Sequence, residues 1–284
     1  MKHFYLRSAI ARLCAVFCVG TLVQTGLFAQ VALYSFSQTA GSYTPITGGT
    51  VVAAQTGSSG AASIDDVIYN LPNGTIPFSY NFNGTTYTGL NISSNGFVTF
   101  GATAPGTTNY NPISSTATYN STIAAFARDL QGGFVTTGNV SSGSAVITGV
   151  TNTTYVTVGS GISGTGIPTG ATVLSKTATD ITISAAATST AAATAVFVWN
   201  GEIRYETLGS APNRVFVIQW ANAKRFGTAA TAQNGHISFQ IRLYETTNVA
   251  EVVYANALGN ATNITPAVGL RGSANTDFND RTGA

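Results

Sequence analysis

The chain has 284 residues, a formal net charge of +2, 8% charged side chains and 31 glycines, with 44% hydrophobic residues. So few basic residues exclude a nucleic-acid or anionic-membrane partner, which needs a basic face. Both cysteines, Cys14 and Cys18, fall in the first 29 residues, so residues 30–284 hold no disulfide, thiol nucleophile or cysteine metal site.

The N-terminus reads as a secretory signal at residues 1–29. Lys2, Arg7 and Arg12 form a basic start, residues 13–23 are apolar but too short to span a bilayer, and Leu27 and Ala29 fit cleavage after Ala29. Gln30, not a cysteine, comes directly after the cut, which argues against a lipid anchor. Cleavage removes three of the 12 basic residues and leaves about −1 against 10 acidic ones. Only Lys176 and Lys224 then remain as lysines. The expected product is secreted or displayed at the cell surface, with no transmembrane segment after cleavage.

From residue 30 onward the pattern is that of strands. Tyr34 and Phe36 oppose Leu33, Ser35 and Ser37, and residues 50–54 read as a short strand after the Gly48-Gly49 turn. Asp65 and Asp66 are adjacent and point to opposite faces if extended; whether the fold brings Asp129 to them is not visible locally. Residues 77–100 carry two Asn-Gly pairs between alternating runs, Asn83-Gly84 and Asn95-Gly96, the signal of type I′ hairpins. Residues 102–121 read as loop, and 122–126 as strand. Between 136 and 199 the composition shifts to small, Thr-rich and β-branched residues, which reads as a small β-domain inserted into the main one at 30–135 and 200–284.

The second half contains the clearest strands. Ile237, Phe239, Ile241 and Leu243 share one face, while His236, Ser238, Gln240, Arg242 and Tyr244 share the other, expected to face solvent. Residues 215–220 are apolar on both faces apart from Gln219, as in a strand covered on both sides. No segment has a 3.6-residue apolar period, so helix is expected almost nowhere beyond the signal. The polar tail after residue 273 offers no closing strand, which leaves an expected open edge and suggests a truncated C-terminus. The fold class read from this pattern is all-β, an antiparallel β-sandwich with a small inserted β-domain.

Six pieces carry a resemblance: YTPITGGT (43–50), IPFSYNFNGTTYTGLNISSNGFVTFG (76–101), TIAAFARDL (122–130), APNRVFVIQW (211–220), SFQIRLYETTNVAEVVY (238–254) and AVGLRG (267–272). In this order they resemble an exported β-sandwich module of bacterial surface proteins associated with type IX secretion, distantly similar to the nidogen-type extracellular domain. The resemblance implies a non-catalytic role in surface attachment or recognition, and structural places for Asn95, Gly96, Asp129, Arg214, Trp220 and Gln240. No C-terminal signal for that export route is present. The segment with GSAVITGV, VGSGISGTGIPTGATV and DITISAAATST is similar to a β-repeat of phage tail and bacterial surface proteins, which implies a structural or adhesive spacer.

Few residues are of the types that carry chemistry. His236 is the one histidine after the signal and falls on the expected solvent face, with no nucleophile assigned to it. Residues 159–164 match GxGxxG but lead into Pro168 and Gly170 rather than a helix, so a dinucleotide site is not expected. Glu202 and Glu206 share a face with Arg204 between them, and Arg242 and Glu245 lie near the end of another strand. A glycoside hydrolase needs one carboxyl kept protonated, which Arg204 opposes. Asn275, Asp277, Asn279 and Asp280 alternate in an oxygen-rich tail that lacks the glycine and closing glutamate of a calcium loop, and reads as disordered. Tyr87, Tyr110, Tyr119 and Tyr244 are candidate ligand contacts if exposed. No cofactor or metal site and no catalytic residue is assigned, and the expected partner is an extracellular glycan or surface protein. The leading reading is an adhesion or recognition module; the alternatives are a carbohydrate-binding domain accessory to an enzyme, or a glycoside hydrolase.

Overall fold

The computed structural model describes residues 30–113, 119, 121–227, 236–255 and 265–282; the expected signal segment lies outside them. The strands of the first part are β1 (Thr50–Ala54), β2 (Ile68–Leu71), β3 (Tyr80–Phe82), β4 (Thr85–Tyr87), β5 (Leu90–Ser93), β6 (Phe97–Thr99), β7 (Thr122–Ala127) and β8 (Leu130–Gly132). Next come β9 (Phe134–Val140), β10 (Val146–Ile147), β11 (Gly161–Gly164), β12 (Val173–Lys176), β13 (Ile181–Ile183) and β14 (Ala191–Trp199). The last part holds β15 (Glu202–Leu208), β16 (Val215–Arg225), β17 (Ile237–Tyr244), β18 (Ala250–Tyr254), β19 (Ala267–Arg271) and β20 (Phe278–Asp280).

The protein is an all-β sandwich. One six-stranded sheet runs β1-β15-β16-β17-β18, with β8 added beside the end of β16; the other runs β2-β5-β6-β7-β19-β20. Period-2 alternation sends Ile203, Phe216, Ile218, Trp220, Phe239, Ile241 and Leu243 of the first sheet against Leu90, Ile92, Val98, Ile123 and Ala125 of the second. Each of these side chains larger than alanine contributes roughly 1.5–3 kcal/mol by leaving water. Trp220 stacks on Phe239 at 5.1 Å between centroids. Its indole Nε1–H donates to the Ser93 carbonyl at 3.0 Å across the sandwich, so the one polar atom of the ring is satisfied.

Both outer faces are also covered. On the first sheet, Gln219 and Gln240 stand opposite each other on β16 and β17, 3% and 0% exposed. The alternation of β17 predicts a solvent face for Gln240; the structure corrects this, because residues 43–48 lie across it. The Gln219 Oε1 accepts from the Tyr43 hydroxyl (3.0 Å), the Ile46 N–H (2.9 Å) and Gln240 Nε2 (2.9 Å). Gln240 Nε2 also donates to the Thr44 carbonyl at 2.8 Å. Two buried amides thus replace water for each other and for the strap. Burial raises the Tyr43 hydroxyl to about 12. On the second sheet, residues 101–113 and 119 play the same part. Ile113 packs on Phe97, Ala124 and Ala127, and Tyr119 stacks on Phe97 at 6.3 Å.

The two Asn-Gly pairs build different turns. Asn83 (φ 52°) and Gly84 (φ 78°) both take positive φ, which gives the expected two-residue hairpin between β3 and β4. Between β5 and β6 only Gly96 does (φ 83°), closing a three-residue loop that Ser94 begins. The type I′ expectation fails there because the Asn95 side chain is anchored by partners outside the hairpin, at the acidic end of the sandwich. A Cβ on Gly96 would overlap the Phe126 carbonyl, so the close approach of β7 requires glycine.

Residues 134–199 form two three-stranded sheets, β11-β14-β9 and β10-β13-β12, around their own core of Phe134, Val140, Ile147, Ile162, Val173, Ile181, Ile183, Val196 and Val198. Phe134, two residues before the compositional shift, already belongs to that core. Gly159 (φ 88°) makes a turn and Gly161–Gly164 is strand β11, so the GxGxxG match has no helix after it. The chain enters and leaves this segment at one point, where the Cα atoms of Gly132 and Gly201 pack so closely that a Cβ on either would collide with the other.

Both ends of the chain differ from expectation. Residues 31–43 do not form a strand: Val31–Leu33 makes a single 3₁₀ turn, held where Asn279 Nδ2 donates to the carbonyls of Val31 (3.2 Å) and Tyr34 (3.4 Å). The tail is not unstructured either, since Phe278–Asp280 pairs with Gly269–Arg271 as β20. Periodicity misses it because a three-residue strand has too few residues to alternate.

Replacing Gln219 by Leu leaves three donors without their acceptor. It is expected to destabilise the fold by about 2–4 kcal/mol, read as a lower urea midpoint at unchanged slope. A shift below about 0.5 kcal/mol would mean the strap finds other partners.

Candidate functional site

Three aspartates from separate places meet at one end of the sandwich. Asp65 and Asp66 lie just before β2, with Asp66 at φ 53°, and Asp129 lies in the short link from β7 to β8. One carboxylate oxygen from each lies within 4.8 Å of the others, which makes them the group among the described residues able to share a metal ion.

Asn95 assembles the cluster. It is fully buried, and its Nδ2 donates to Asp66 Oδ1 (3.0 Å) and to the Thr107 carbonyl (2.9 Å). Its Oδ1 accepts the Leu130 N–H at 3.0 Å and its carbonyl accepts the Arg128 N–H at 3.2 Å, which fixes the backbone on both sides of Asp129. The Tyr110 hydroxyl donates to Asp66 Oδ2 at 3.1 Å. The Asn-Gly pair that reads from sequence as a turn is thus also the clamp of the acidic site.

The electrostatics arise from crowding. Burial, then Asp66 and Asp129, raise Asp65 to about 6, against the opposing pull of Lys224. Asp65 Oδ1 is shut off from solvent and accepts no hydrogen bond from a described residue. Burial and Asp66 also raise Asp129, offset by Arg128 and Arg225. Lys224 is 2% exposed, its Nζ 5.7 and 5.8 Å from the centroids of Phe197 and Trp199 and donating to the Arg225 carbonyl at 3.3 Å. Burial lowers it to about 8, partly offset by Asp65. Such a cluster holds a proton more tightly than isolated carboxylates do, and its oxygens are of the type that hard cations accept. Sequence reasoning misses the role of Lys224; its one signal is that it is a rare lysine at the end of an otherwise uncharged strand run.

The other candidates are dispersed. His236 is 6% exposed, not on a solvent face as predicted: its ring lies 4.1 Å from that of Tyr155 and 5.6 Å from Phe134. The core of residues 134–199 covers what would otherwise be the outer end of β17. Burial lowers its pKa to about 4. Glu202 is ion-paired with Arg204, and Arg242 with Glu251 at 3.3 Å. Glu245 accepts Arg214 Nε and Nη2 at 2.8 and 2.7 Å, which holds its carboxyl down at about 2.

In the C-terminal tail, Asp277 accepts Asn83 and the Ser273 N–H, while Asn275 accepts Arg271 and Asn279 holds the N-terminal turn. These side chains fasten segments together rather than converge. The four tyrosines do not form one platform. Tyr110 joins the aspartates, Tyr87 stacks on Phe100 at 4.9 Å, and Tyr119 is buried with Arg271 over its ring at 5.3 Å. Tyr244 alone borders a groove, of about 410 Å³, on the outer face of the first sheet between residues 44–48 and strands β15 to β17.

A family model described as NIDO related matches residues 33–159 and 169–284, covering the sandwich and most of the segment between Phe134 and Trp199. No curated protein and no solved structure matches the chain significantly. Among the described residues no helix is long and apolar enough to cross a membrane.

His236 and Asp65 predict opposite pH dependences in one window. His236, with a folded pKa depressed from 6.5 to about 4, contributes stability above the unfolded value that is lost as pH falls through 4. Asp65, raised from 3.8 to about 6, contributes stability below 3.8 that is lost as pH rises through 6. The wild type is therefore expected to change little between pH 4 and 6.5. Asp65→Asn should gain stability over wild type near pH 7 and converge with it near pH 4, whereas His236→Gln, left with the Asp65 contribution alone, should fall in stability between pH 4 and 6.5 by on the order of 2 kcal/mol. Thermal melts across that range check both; parallel profiles for all three proteins would refute the assignment.

Proposed function

The chain belongs to the NIDO-related family, and from that premise we propose that it is a non-catalytic module for adhesion or recognition outside the cell. The family is of an extracellular, non-enzymatic module type, and the span of the match carries the reading. The chemistry of the side chains supports it. The histidine is neutral and enclosed by aromatic rings, Glu202 is neutralised by Arg204, and Glu245 by Arg214. None of these is poised as a general acid or base at neutral pH.

In this proposal the chain leaves the cell behind the signal at residues 1–29 and acts in the secreted or surface-bound state, its partner a glycan or a surface protein. Type IX secretion is the export route that the resemblance suggests, and residues 136–199 act as an inserted spacer. A second reading, a carbohydrate-binding domain accessory to an enzyme, is favoured by one observation: Tyr244 borders a groove that also holds Glu206 and Arg242.

The purified protein, presented to a panel of polysaccharides and extracellular matrix proteins, is expected to be retained by at least one without releasing soluble products. Products that disappear in Glu202→Gln or Glu206→Gln would overturn the non-catalytic reading.

A further inference from the structure

We propose that the groove beneath residues 44–48 binds the neutral end of a saccharide chain. This rests on the recognition reading and names the ligand class and the place. The groove's volume of about 410 Å³ lies in the range of small-ligand sites. Its apolar surface comes from half-buried Val215 on β16 and from Leu208 at 41% exposure, with Val217 covered beneath them. Its polar groups are Glu206 from β15, and Arg242 and Tyr244 from β17. A sugar ring has the matching character, with C–H faces for Val215, Leu208 and the tyrosine ring and hydroxyls for the rim.

The charges select against ionic ligands. Glu206 lines the groove without an ion pair and Arg242 lines it already paired with Glu251, so an anion is repelled by the carboxylate and a cation meets the guanidinium beside it. A hydroxyl group can donate to the carboxylate and accept from the guanidinium, and this gains from both. Glu206 accepts no hydrogen bond from any described residue, unlike Glu202, Glu245 and Glu251, each of which meets an arginine. Its carboxylate stands against the strap, where a Cβ on Gly48 would lie 2.5 Å from Oε1.

The donors across the groove are already fixed. Arg242 Nε donates to Gln240 Oε1 at 2.9 Å, Arg242 Nη1 donates to Glu251 Oε2 at 3.3 Å, and the Tyr244 hydroxyl donates to the same Glu251 oxygen at 2.7 Å. Gln240 in turn holds the Thr44 carbonyl of the strap. Floor, wall and roof therefore belong to one hydrogen-bonded unit, and binding orders little that is not already ordered.

The test uses saturation-transfer NMR and calorimetry on the full protein with neutral oligosaccharides of glucose, mannose, galactose and N-acetylglucosamine. Two variants accompany it: Glu206→Gln, which keeps the shape and removes the charge, and Val215→Trp, which fills the groove from its half-buried apolar side. Wild type is expected to bind at least one class, Glu206→Gln at least ten-fold more weakly, and Val215→Trp not detectably, with both variants melting as wild type does. Equal binding by wild type and Glu206→Gln would place the sugar elsewhere and overturn the groove, leaving recognition intact. Retention on matrix proteins with no sugar bound would overturn the saccharide inference alone. Retention on neither would remove the recognition reading as well.

Discussion

The structure depends on a burial constraint: both sheets are apolar enough to need cover on their outer faces as well as their inner ones. Strand β16 is the clearest case, with Phe216, Ile218 and Trp220 facing the sandwich core and Val217 and Gln219 facing outward at 1% and 3% exposure. A polar side chain in such a position costs several kcal/mol unless it is paired. Gln219 is paired with Gln240 and with a strap of irregular chain. The strap exists because the amides need it, and the amides are tolerable because the strap is there.

The same logic places the acidic cluster. Asn95 is fully buried in the turn between β5 and β6, so each of its polar atoms needs a partner. Those partners, Asp66, Thr107 and Leu130, belong to three other segments, and satisfying Asn95 draws them to one end of the sandwich. Three carboxylates are brought together as a result, and their mutual repulsion is one reason Asp65 retains a proton far above the ordinary carboxylate range. The groove lies toward the other end of β16. Val217 and Lys224 are seven residues apart on the same strand, a separation of about 23 Å at strand rise.

How much of this is legible in the sequence varies with the range of the interaction. The strand character of β15 to β17, the inward set on β17, the doubly covered β16 and the near absence of helix all come from local alternation. Gln240 reads as solvent-facing because period 2 distinguishes two faces but cannot tell what lies on the second. His236 is misplaced for the same reason: its cover comes from Phe134 and Tyr155, far away in sequence. Asp65 and Asp129 stand on opposite sides of two hairpins, and no periodicity links them. The Asn83 and Asn95 turns share a dipeptide and differ in conformation, since only Asn95 has tertiary partners strong enough to override the local preference.

The contact between Gly132 and Gly201 has a consequence for how the chain can vary. Where two strand ends touch, whatever is threaded between them enters and leaves as a closed loop, and closure cost grows only as the logarithm of loop length. The sandwich therefore presents nearly the same boundary condition to a six-stranded segment and to a bare turn. Provided those two glycines stay small, the segment can change length away from Phe134, Tyr155, Phe197 and Trp199, whose rings enclose His236 and Lys224, without moving its point of closure. The position works as a socket: it fixes where the segment begins and ends, whatever path the chain takes between.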